Sequence, residues 1–294
     1  MALVLFVVAL AAACGGESSP GTGSFPVEVE GTRIPAAPQR IVSAGASHTE
    51  ILYAIGAGRQ IVATDQFSDY PSAAAATPKL DAFNLGVEAV ASFDPDLVVL
   101  SFDPGDLQAG LTALGIPTLL LAPPATLEDV YGQIRALGEA SGHPGEASAL
   151  VVEMADEVAR LTAALPEQPS APTYYYELDP TLYSLTSRTF VGGLLAMLGL
   201  GNIADAADDG TGYPQLSAEY VLAADPDFIL LADTHCCGQS ASTVGERPGW
   251  GSLQAVAAGR VVELDDDVAQ RWGPRVVDLL AVVAEAVYGR AGPG

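Results

Sequence analysis

Aromatic and charged side chains that could hold a small-molecule ligand follow the apolar segments of this sequence. Phe67 and Tyr70 come after the apolar run 61–64, and Phe102 comes after the run 97–100. Aromatic rings can stack on a planar or macrocyclic ligand with little loss of side-chain entropy. We therefore expect an aromatic binding surface with a few polar groups. Its candidate residues include Phe67, Tyr70, Phe102, Tyr176, Tyr213, Asp267 and Arg271.

A second group that could do chemistry is the run His235-Cys236-Cys237-Gly238. Outside the cytosol, adjacent cysteines can close a vicinal disulfide, and this is the pairing we predict for Cys236 and Cys237. The alternatives are a transition-metal site, in which His235 and a thiolate join His48, or plain buried thiols. The spacing matches no common zinc pattern, so we expect no resident metal or cofactor.

The sequence contains a serine beside a histidine, but the context is not catalytic. Gly45-Ala46-Ser47-His48 lacks the Gly-x-Ser-x-Gly turn of a nucleophile elbow. Neither a Gly-x-Gly-x-x-Gly fingerprint after a strand nor a Walker phosphate loop occurs. We therefore predict a binding protein rather than an enzyme, with an extracellular hydrolase as the weaker alternative.

An internal repeat shows which elements must position these side chains. Residues 88–100 and 219–231 share the pattern Glu, five residues, Asp-Pro-Asp, then an apolar run, at an offset of 131 positions. Each copy predicts a short helix, a turn and a strand. Strands that are apolar without alternation are typical of a parallel sheet covered on both faces. The fold class we predict is therefore α/β, with two Rossmann-like lobes at 40–142 and 169–294.

The segment between the lobes predicts one long helix at 143–168. Its apolar residues recur at steps of three and four, with charged residues between them. A helix of about 20 residues would be ~30 Å long. The apolar positions are Leu150, Val151, Met154, Val158, Leu161 and Leu165.

The composition limits the kinds of partner that the protein can bind. The 294 residues carry 36 acidic and 12 basic side chains, so the formal net charge is −24. Such a chain repels phosphate backbones, which excludes general nucleic-acid binding. Because 49% of the residues are apolar and only 16% are charged, the chain can still bury a core.

The N-terminus predicts an extracytoplasmic location. Residues 2–13 are an apolar run that is too short to span a bilayer and ends in small residues, as in a secretory signal. The predicted signal is 1–13, and the sequence around Cys14 is similar to a lipobox, in which that cysteine carries the lipid. Residues 14–39 would then form a flexible tether. The alternative is a buried N-terminal strand or helix.

Several segments together resemble a known family, over about 40–288. The chain is similar to the substrate-binding proteins of type II ABC importers, which capture cobalamin, ferric siderophores or haem. This resemblance implies two lobes bridged by a single helix, and a monomer that works with a permease and its ATPase subunits. The segments that carry it are 40–43, 49–52, 67–71, the two repeats, 213–217 and 273–277.

The resemblance also assigns roles to particular residues. In that family one glutamate of each lobe docks on permease arginines, and Glu88 and Glu219 match those positions. Two such carboxylates could form charge-assisted pairs with a two-fold permease. The alternative is a pair of solvated glutamates near helix N-termini, where the helix dipole favours them.

For the ligand, the resemblance implies a corrinoid or a ferric siderophore, with haem or a transition-metal ion as alternatives. Phe67, Tyr213, Asp267 and Arg271 match positions that cobalamin-binding members use. Two tryptophans of those members have no tryptophan counterpart here, and Phe83 and Phe102 lie nearby. Ordinary packing of the aromatics, and a local Asp267–Arg271 ion pair, are the structural alternatives. Arg271 could also meet a ligand carboxylate.

Overall fold

The computed structural model describes residues 24–289. The predicted signal at 1–13, the predicted lipidation site Cys14 and the tether up to residue 23 lie outside the described residues. Among the described helices, none is long and apolar enough to cross a membrane. The strands are β1 (Val27–Val29), β2 (Thr32–Ile34), β3 (Ile41–Ala44), β4 (Ile61–Asp65), β5 (Lys79–Leu80), β6 (Leu97–Leu100), β7 (Thr118–Leu120), β8 (Thr173–Glu177), β9 (Gly201–Asn202), β10 (Phe228–Leu231) and β11 (Val261–Glu263).

Helices cover the faces of the sheets and connect their strands. They are α1 (Ala46–Ala54), α2 (Ser72–Ala75), α3 (Val87–Ala91), α4 (Leu107–Ala113), α5 (Leu127–Ser141), α6 (Pro144–Ala163), α7 (Phe190–Met197), α8 (Ala218–Ala224), α9 (Thr234–Cys237), α10 (Ala241–Gly245), α11 (Gln254–Ala257), α12 (Asp266–Gln270) and α13 (Val276–Tyr288). Turns of 3-10 helix lie at Ala57–Gln60, Ala82–Asn84, Pro104–Asp106, Ile203–Ala207 and Trp250–Ser252.

Nine of the eleven described strands form two parallel sheets, one in each lobe. The N-terminal sheet has the order β5-β4-β3-β6-β7, and the C-terminal sheet has the order β11-β10-β8-β9. Every residue of β3, β6 and β10 is buried, because helices cover both faces of each sheet. The predicted α/β fold with two Rossmann-like lobes is therefore confirmed.

The repeated Asp-Pro-Asp sequences do the same structural work in both lobes. The Asp96 carboxylate accepts the backbone N–H of Arg40, just before β3, at 2.9 Å. In the other lobe the Asp227 carboxylate accepts the backbone N–H of Thr173, the first residue of β8, also at 2.9 Å. The second aspartate of each repeat therefore fixes the start of the first strand of its sheet.

The lobes are bridged by α6, which begins at Pro144 and ends at Ala163 as one helix of 20 residues. The predicted bridging helix is confirmed, and its buried side chains include Val151, Met154, Val158 and Leu161. α6 packs against α5 and α13. At Gly138 on α5, a Cβ atom would lie 2.3 Å from the Cβ of Ala147, so this close helix contact requires glycine.

The tether prediction is wrong for the residues between 24 and 39. Here β1 and β2 form an antiparallel hairpin instead of a flexible segment. Val29 and Ile34 are buried in the main hydrophobic core, and the Thr32 hydroxyl donates to the carbonyl of Thr118 at 3.0 Å. Burial of the alternating apolar residues against the core beside α5 offsets the conformational entropy that this segment loses when it becomes ordered.

Candidate functional site

Loops that follow the strands of the two lobes meet in a cleft that contains two cavities. The cavity on the N-terminal side has a volume of about 240 Å³, and the one on the C-terminal side has about 250 Å³. Gln270 and Trp272 line both cavities and separate them. Ligands of open α/β sheets bind beyond the carboxyl ends of the strands, and this cleft occupies that position.

The N-terminal cavity brings three of the predicted aromatic residues together. Phe67, Phe83 and Phe102 line it, and their exposed fractions are 48%, 80% and 51%. The rings of Phe67 and Phe83 meet edge to face, with their centroids 5.7 Å apart. Large aromatic side chains left open to solvent at a concave surface mark a binding site for an apolar or aromatic ligand.

The C-terminal cavity is apolar and carries no charged side chain among its described lining. Tyr213, which we predicted as a ligand residue, lines it and is half-exposed. Phe190 is a lining residue that the sequence analysis missed. Gln270 and Trp272 also line the cavity, and they belong to the segment after β11 that contains the predicted Arg271. The other lining residues are Pro123, Pro124, Leu178, Leu185, Thr189, Val191 and Ala269.

Trp272 lies in the cleft because N-terminal residues hold it there. Its backbone N–H donates to the Ser47 hydroxyl at 3.1 Å, and its indole N–H donates to Gln133 Oε1 at 3.1 Å. Gln133 Oε1 also lies 3.2 Å from Nε2 of His48. A residue of the C-terminal lobe therefore has its ring fixed by α1 and α5 of the other lobe.

Arg271 lines the N-terminal cavity, but protein oxygens surround its guanidinium group. Nη1 lies 3.0 Å from Glu50 Oε1 and 2.9 Å from Asp69 Oδ1. Nη2 lies 2.8 Å from the carbonyl oxygen of Phe67 and 2.6 Å from Asp267 Oδ1. The contacts with Glu50, Asp69 and Phe67 are hydrogen bonds, and the contact with Asp267 is an ion pair. Three protein carboxylates therefore already neutralise this guanidinium group, and a ligand carboxylate would have to compete with them.

Asp267 forms the local ion pair with Arg271 that was the structural alternative, and it lines neither cavity as described. Burial raises the pKa of Asp267 from its ordinary value, and the charge of Arg271 opposes this shift. For Asp69, burial acts to raise the pKa, but the hydrogen bond and charge of Arg271 outweigh it and lower the pKa. Both carboxylates are partners of the arginine.

Arg275, the residue just before α13, binds to the same group of charged side chains. Its Nε donates to Glu50 Oε2 at 2.8 Å, and its Nη2 donates to Glu50 Oε1 at 2.5 Å. The guanidinium also lies 4.1 Å from the ring centre of Tyr70. We call Glu50, Asp69, Asp267, Arg271 and Arg275 the interlobe ion cluster. Two of its carboxylates belong to the N-terminal lobe, and the third carboxylate and both arginines belong to the C-terminal lobe.

Two of the predicted ligand residues do not reach the cleft. Tyr70 lines a separate cavity of about 350 Å³ behind the interlobe ion cluster, where Arg275 stacks on it. Tyr176 is fully buried in β8, and its hydroxyl donates to the carbonyl of Ala269 at 2.9 Å. Burial raises the pKa of Tyr176 far above its ordinary value. Tyr176 is therefore closed to a ligand, whereas Tyr70 is half-exposed and its ligand role stays a prediction.

The predicted weak metal ligands do not come together. His48 is fully buried on α1, and burial lowers its pKa to about 4, which keeps the ring neutral. His235 is exposed at the start of α9. Among residues 24–289, no group of three or more His, Cys, Asp and Glu side chains could hold a metal ion.

Cys236 and Cys237 are free, exposed thiols, so the structure lacks the predicted vicinal disulfide. They lie in the helical turn α9, where the Asp266 carboxylate accepts the backbone N–H of Cys236 at 2.8 Å. Burial raises the pKa of Cys236 to about 12, and the neighbouring Cys237 and Asp266 add to the shift. The backbone of this helical turn is held by Asp266 rather than by a sulfur bridge.

A buried acidic group beneath the C-terminal strand ends was missed by the sequence analysis. Glu177, the last residue of β8, is fully buried and accepts Nη1 of Arg247 at 2.6 Å and Nη2 at 2.5 Å. Asp233 is also fully buried, and neither of its carboxylate oxygens accepts a hydrogen bond. Burial, with the charge of Glu177, raises the pKa of Asp233 to about 7. We call Glu177 and Asp233 the C-terminal acid pair.

The two glutamates of the repeat have equivalent places in the two lobes. Glu88 lies in the first turn of α3 and Glu219 in the first turn of α8, and both are exposed. Each is therefore accessible to a partner, and their docking role stays a prediction.

Comparison with known proteins agrees with this architecture. The family model described as periplasmic binding protein matches residues 41–268. The chain belongs to this family, whose members are transport binding proteins.

Three relatives illustrate its range. The chain is 30% identical to an uncharacterized ABC transporter substrate-binding lipoprotein, YvrC, of Bacillus subtilis, over 98% of this chain and 96% of that protein. It is 28% identical to a cobalamin-binding protein of Halobacterium salinarum, over 90% of this chain and 75% of that one. The solved structure of the periplasmic heme-binding protein RhuT from Roseiflexus sp. RS-1 superposes with a TM-score of 0.76 at 26% identity. That match covers 86% of this chain and 99% of RhuT.

Proposed function

We propose that the protein captures a corrinoid, with cobalamin as the first candidate, and delivers it to the permease of an ABC importer. The observation that carries the proposal is the set of open aromatic rings at the interlobe cleft: Phe67, Phe83 and Phe102 on one side, Tyr213 on the other. The likeness to a cobalamin-binding protein supports the choice of ligand. A ferric siderophore is the next candidate of similar bulk.

Haem is a further candidate, because the haem-binding RhuT has the same fold. An axial ligand to its iron would have to come from Tyr213, since the described lining of both cavities includes no histidine. A free transition-metal ion lacks a ligand set in the described residues. We expect capture without turnover, because His48 does not activate the adjacent Ser47: its Nε2 lies 3.2 Å from Gln133 Oε1, and its Nδ1 has no hydrogen-bond partner.

The test is calorimetric titration of the purified protein with cyanocobalamin, haem and a ferric catecholate. We expect micromolar or tighter binding of cyanocobalamin, which Phe83→Ala weakens. Leu114→Ala is the matched control, because Leu114 is also an exposed apolar residue of the N-terminal lobe, at 59%, but lies outside the cleft. The absence of heat with cyanocobalamin, or equal loss in both variants, would contradict the proposal.

Docking on the permease is assigned to Glu88 and Glu219. We expect Glu88→Ala combined with Glu219→Ala to abolish permease-dependent uptake in proteoliposomes while leaving calorimetric ligand binding unchanged. Glu128→Ala is the control, because Glu128 is also an exposed first-turn glutamate, on α5. If uptake by the double variant equals that of the control, these glutamates are not the docking residues.

Anchoring is assigned to a lipid on Cys14 after cleavage of residues 1–13, which places the body outside the cytoplasm as a monomer near the membrane surface. We expect Cys14→Ser to move the protein from the detergent phase to the aqueous phase in a Triton X-114 partition. A protein that partitions like wild type would contradict lipidation at this cysteine.

A further inference from the structure

The interlobe ion cluster contains more negative than positive charge. Glu50, Asp69 and Asp267 contribute three carboxylates, and Arg271 and Arg275 contribute two guanidinium groups. Asp65, which lines the N-terminal cavity and is nearly fully buried, adds a further acidic group beside it. Arg271 is the one cationic residue in the described lining of either cavity. Lys79 offsets one of these charges, since its ammonium group acts on Asp65 and Asp69, so four carboxylates face three cations. An anionic ligand would therefore enter the cleft against a net negative charge.

Glu50 is the carboxylate that offsets the positive charge of the two arginines most strongly. It lies on α1 with only 3% of its surface exposed, and both of its oxygens are bound by arginines of the other lobe. Asp69 and Asp267, in contrast, keep 56% and 38% of their side chains exposed, so water screens their charges. The buried carboxylate is the one whose charge acts on the two arginines with the least screening.

We propose that this cleft selects ligands that present neutral polar groups, such as amides, and rejects those that present carboxylates or other anions. Glu50 sets the selectivity by neutralising Arg271 and Arg275. It is a positioning residue, because it acts through Arg271 and touches neither cavity as described. This inference rests on the proposed function, since it concerns the ligand of the same cleft. Without the charge of Glu50, the guanidinium group of Arg271 could pair with an anionic group of a ligand in the N-terminal cavity.

The test uses two corrinoids that differ in charge but share the macrocycle. Dicyanocobinamide carries amide side chains, whereas dicyano-cobyrinic acid carries carboxylates in their place. We expect wild type to bind the amide corrinoid at least about tenfold more tightly, and Glu50→Gln to narrow this ratio by about tenfold. Asp69→Asn, at an exposed position that leaves folding intact, should narrow it in the same direction by less. Glu128→Gln, which removes an exposed charge of the same lobe that makes no ion pair with the cluster, should leave the ratio unchanged.

The outcomes separate this inference from the proposed function. If wild type binds both corrinoids equally, or Glu50→Gln and Asp69→Asn keep the wild-type ratio, the inference is wrong and corrinoid capture stands. If wild type binds neither corrinoid, the proposed ligand is wrong. The selectivity is then decided with a dye pair, the neutral N-phenyl-1-naphthylamine and its sulfonated analogue 1-anilinonaphthalene-8-sulfonate. Preference of wild type for the neutral dye, lost in Glu50→Gln and kept in Glu128→Gln, supports the inference, and any other pattern overturns it.

Discussion

Two buried glutamates of this protein are bound by arginine, one between the lobes and one inside the C-terminal lobe. Glu50 binds Arg271 and Arg275 across the lobe boundary, whereas Glu177 binds Arg247 within its own lobe. Both sites hold one carboxylate more than they hold arginines. At the boundary the other two acids, Asp69 and Asp267, are partly exposed to water, so the surplus charge lies on a carboxylate in contact with solvent. Inside the C-terminal lobe the surplus acid, Asp233, is fully buried.

The difference shows how burial decides what balances a surplus charge. A carboxylate in contact with water keeps its charge at little cost, since solvent screens it. A fully buried carboxylate next to another acid takes up a proton instead, as the raised pKa of Asp233 indicates. The site between the lobes is therefore suited to set ligand selectivity by charge, and the site inside the lobe is suited to hold the strand ends in place.

The comparison is tested most strongly by removing the arginine inside the lobe. Arg247→Met leaves Glu177 buried beside Asp233 without a cation, while the methionine still covers Trp250, on which Arg247 packs at 4.7 Å. We expect the free energy of unfolding to fall by about 3–5 kcal/mol, as for other buried pairs that lose one partner. Urea unfolding followed by circular dichroism measures it. Arg160→Met is the control, because Arg160 pairs with Glu157 on the exposed face of α6. A loss no greater than in that control would contradict a structural role for Arg247.

A second prediction concerns acid sensitivity at the lobe boundary. Because burial lowers the pKa of His48 to about 4, the unfolded chain binds its proton more readily than the folded protein does between about pH 6.5 and 4. We expect wild type to lose about 3 kcal/mol more unfolding free energy over this window than His48→Gln does. The measurement is urea unfolding at pH 7, 5.5 and 4. His143→Gln is the control, and identical pH profiles for wild type and His48→Gln would show that His48 is not the cause.

The third prediction concerns Asp233 inside the C-terminal lobe, whose contribution to stability falls as the pH rises. Because the pKa of Asp233 is raised to about 7, the folded protein holds this proton between about pH 4 and 7, and stability is lost as pH rises through this range. We expect Asp233→Asn to be more stable than wild type at pH 8 by about 2 kcal/mol, with the difference vanishing near pH 4. Thermal unfolding at pH 4, 6 and 8 measures it. An infrared carboxylic-acid band near neutral pH, absent in Asp233→Asn, identifies the proton directly, and a constant difference at every pH would rule out this titration.

The fold could be predicted from the sequence because its signals are local. The steps of three and four in α6 and the unalternating apolar runs of β6 and β10 determine the two lobes and their bridge. The cleft residues Phe67 and Phe102 could be predicted for the same reason, because each lies two residues beyond the end of a strand. In the β1–β2 hairpin the local signal was too short to distinguish a strand pair from a linker.

The rest of the site depends on contacts that no local pattern contains. Arg271 and Glu50 lie 221 residues apart in the chain, so the neutralisation of this arginine could not be predicted. Tyr176 belongs to an aromatic run in a central parallel strand that is covered on both faces, which leaves none of its rings open to a ligand. Gln133 on α5 accepts the indole N–H of Trp272 from the other lobe, 139 residues further along the chain.

The two aspartates that fix the first strand of each sheet have a consequence for how the chain assembles. Asp96 reaches back 56 residues to Arg40, and Asp227 reaches back 54 residues to Thr173. The entropy of closing a loop depends on its length, so the two closures cost nearly the same. Each falls within one lobe, so the first sheet can close while the second is still being synthesised at the ribosome. The contacts between the lobes, such as that of Trp272 with α5, must wait until most of the C-terminal lobe has been synthesised.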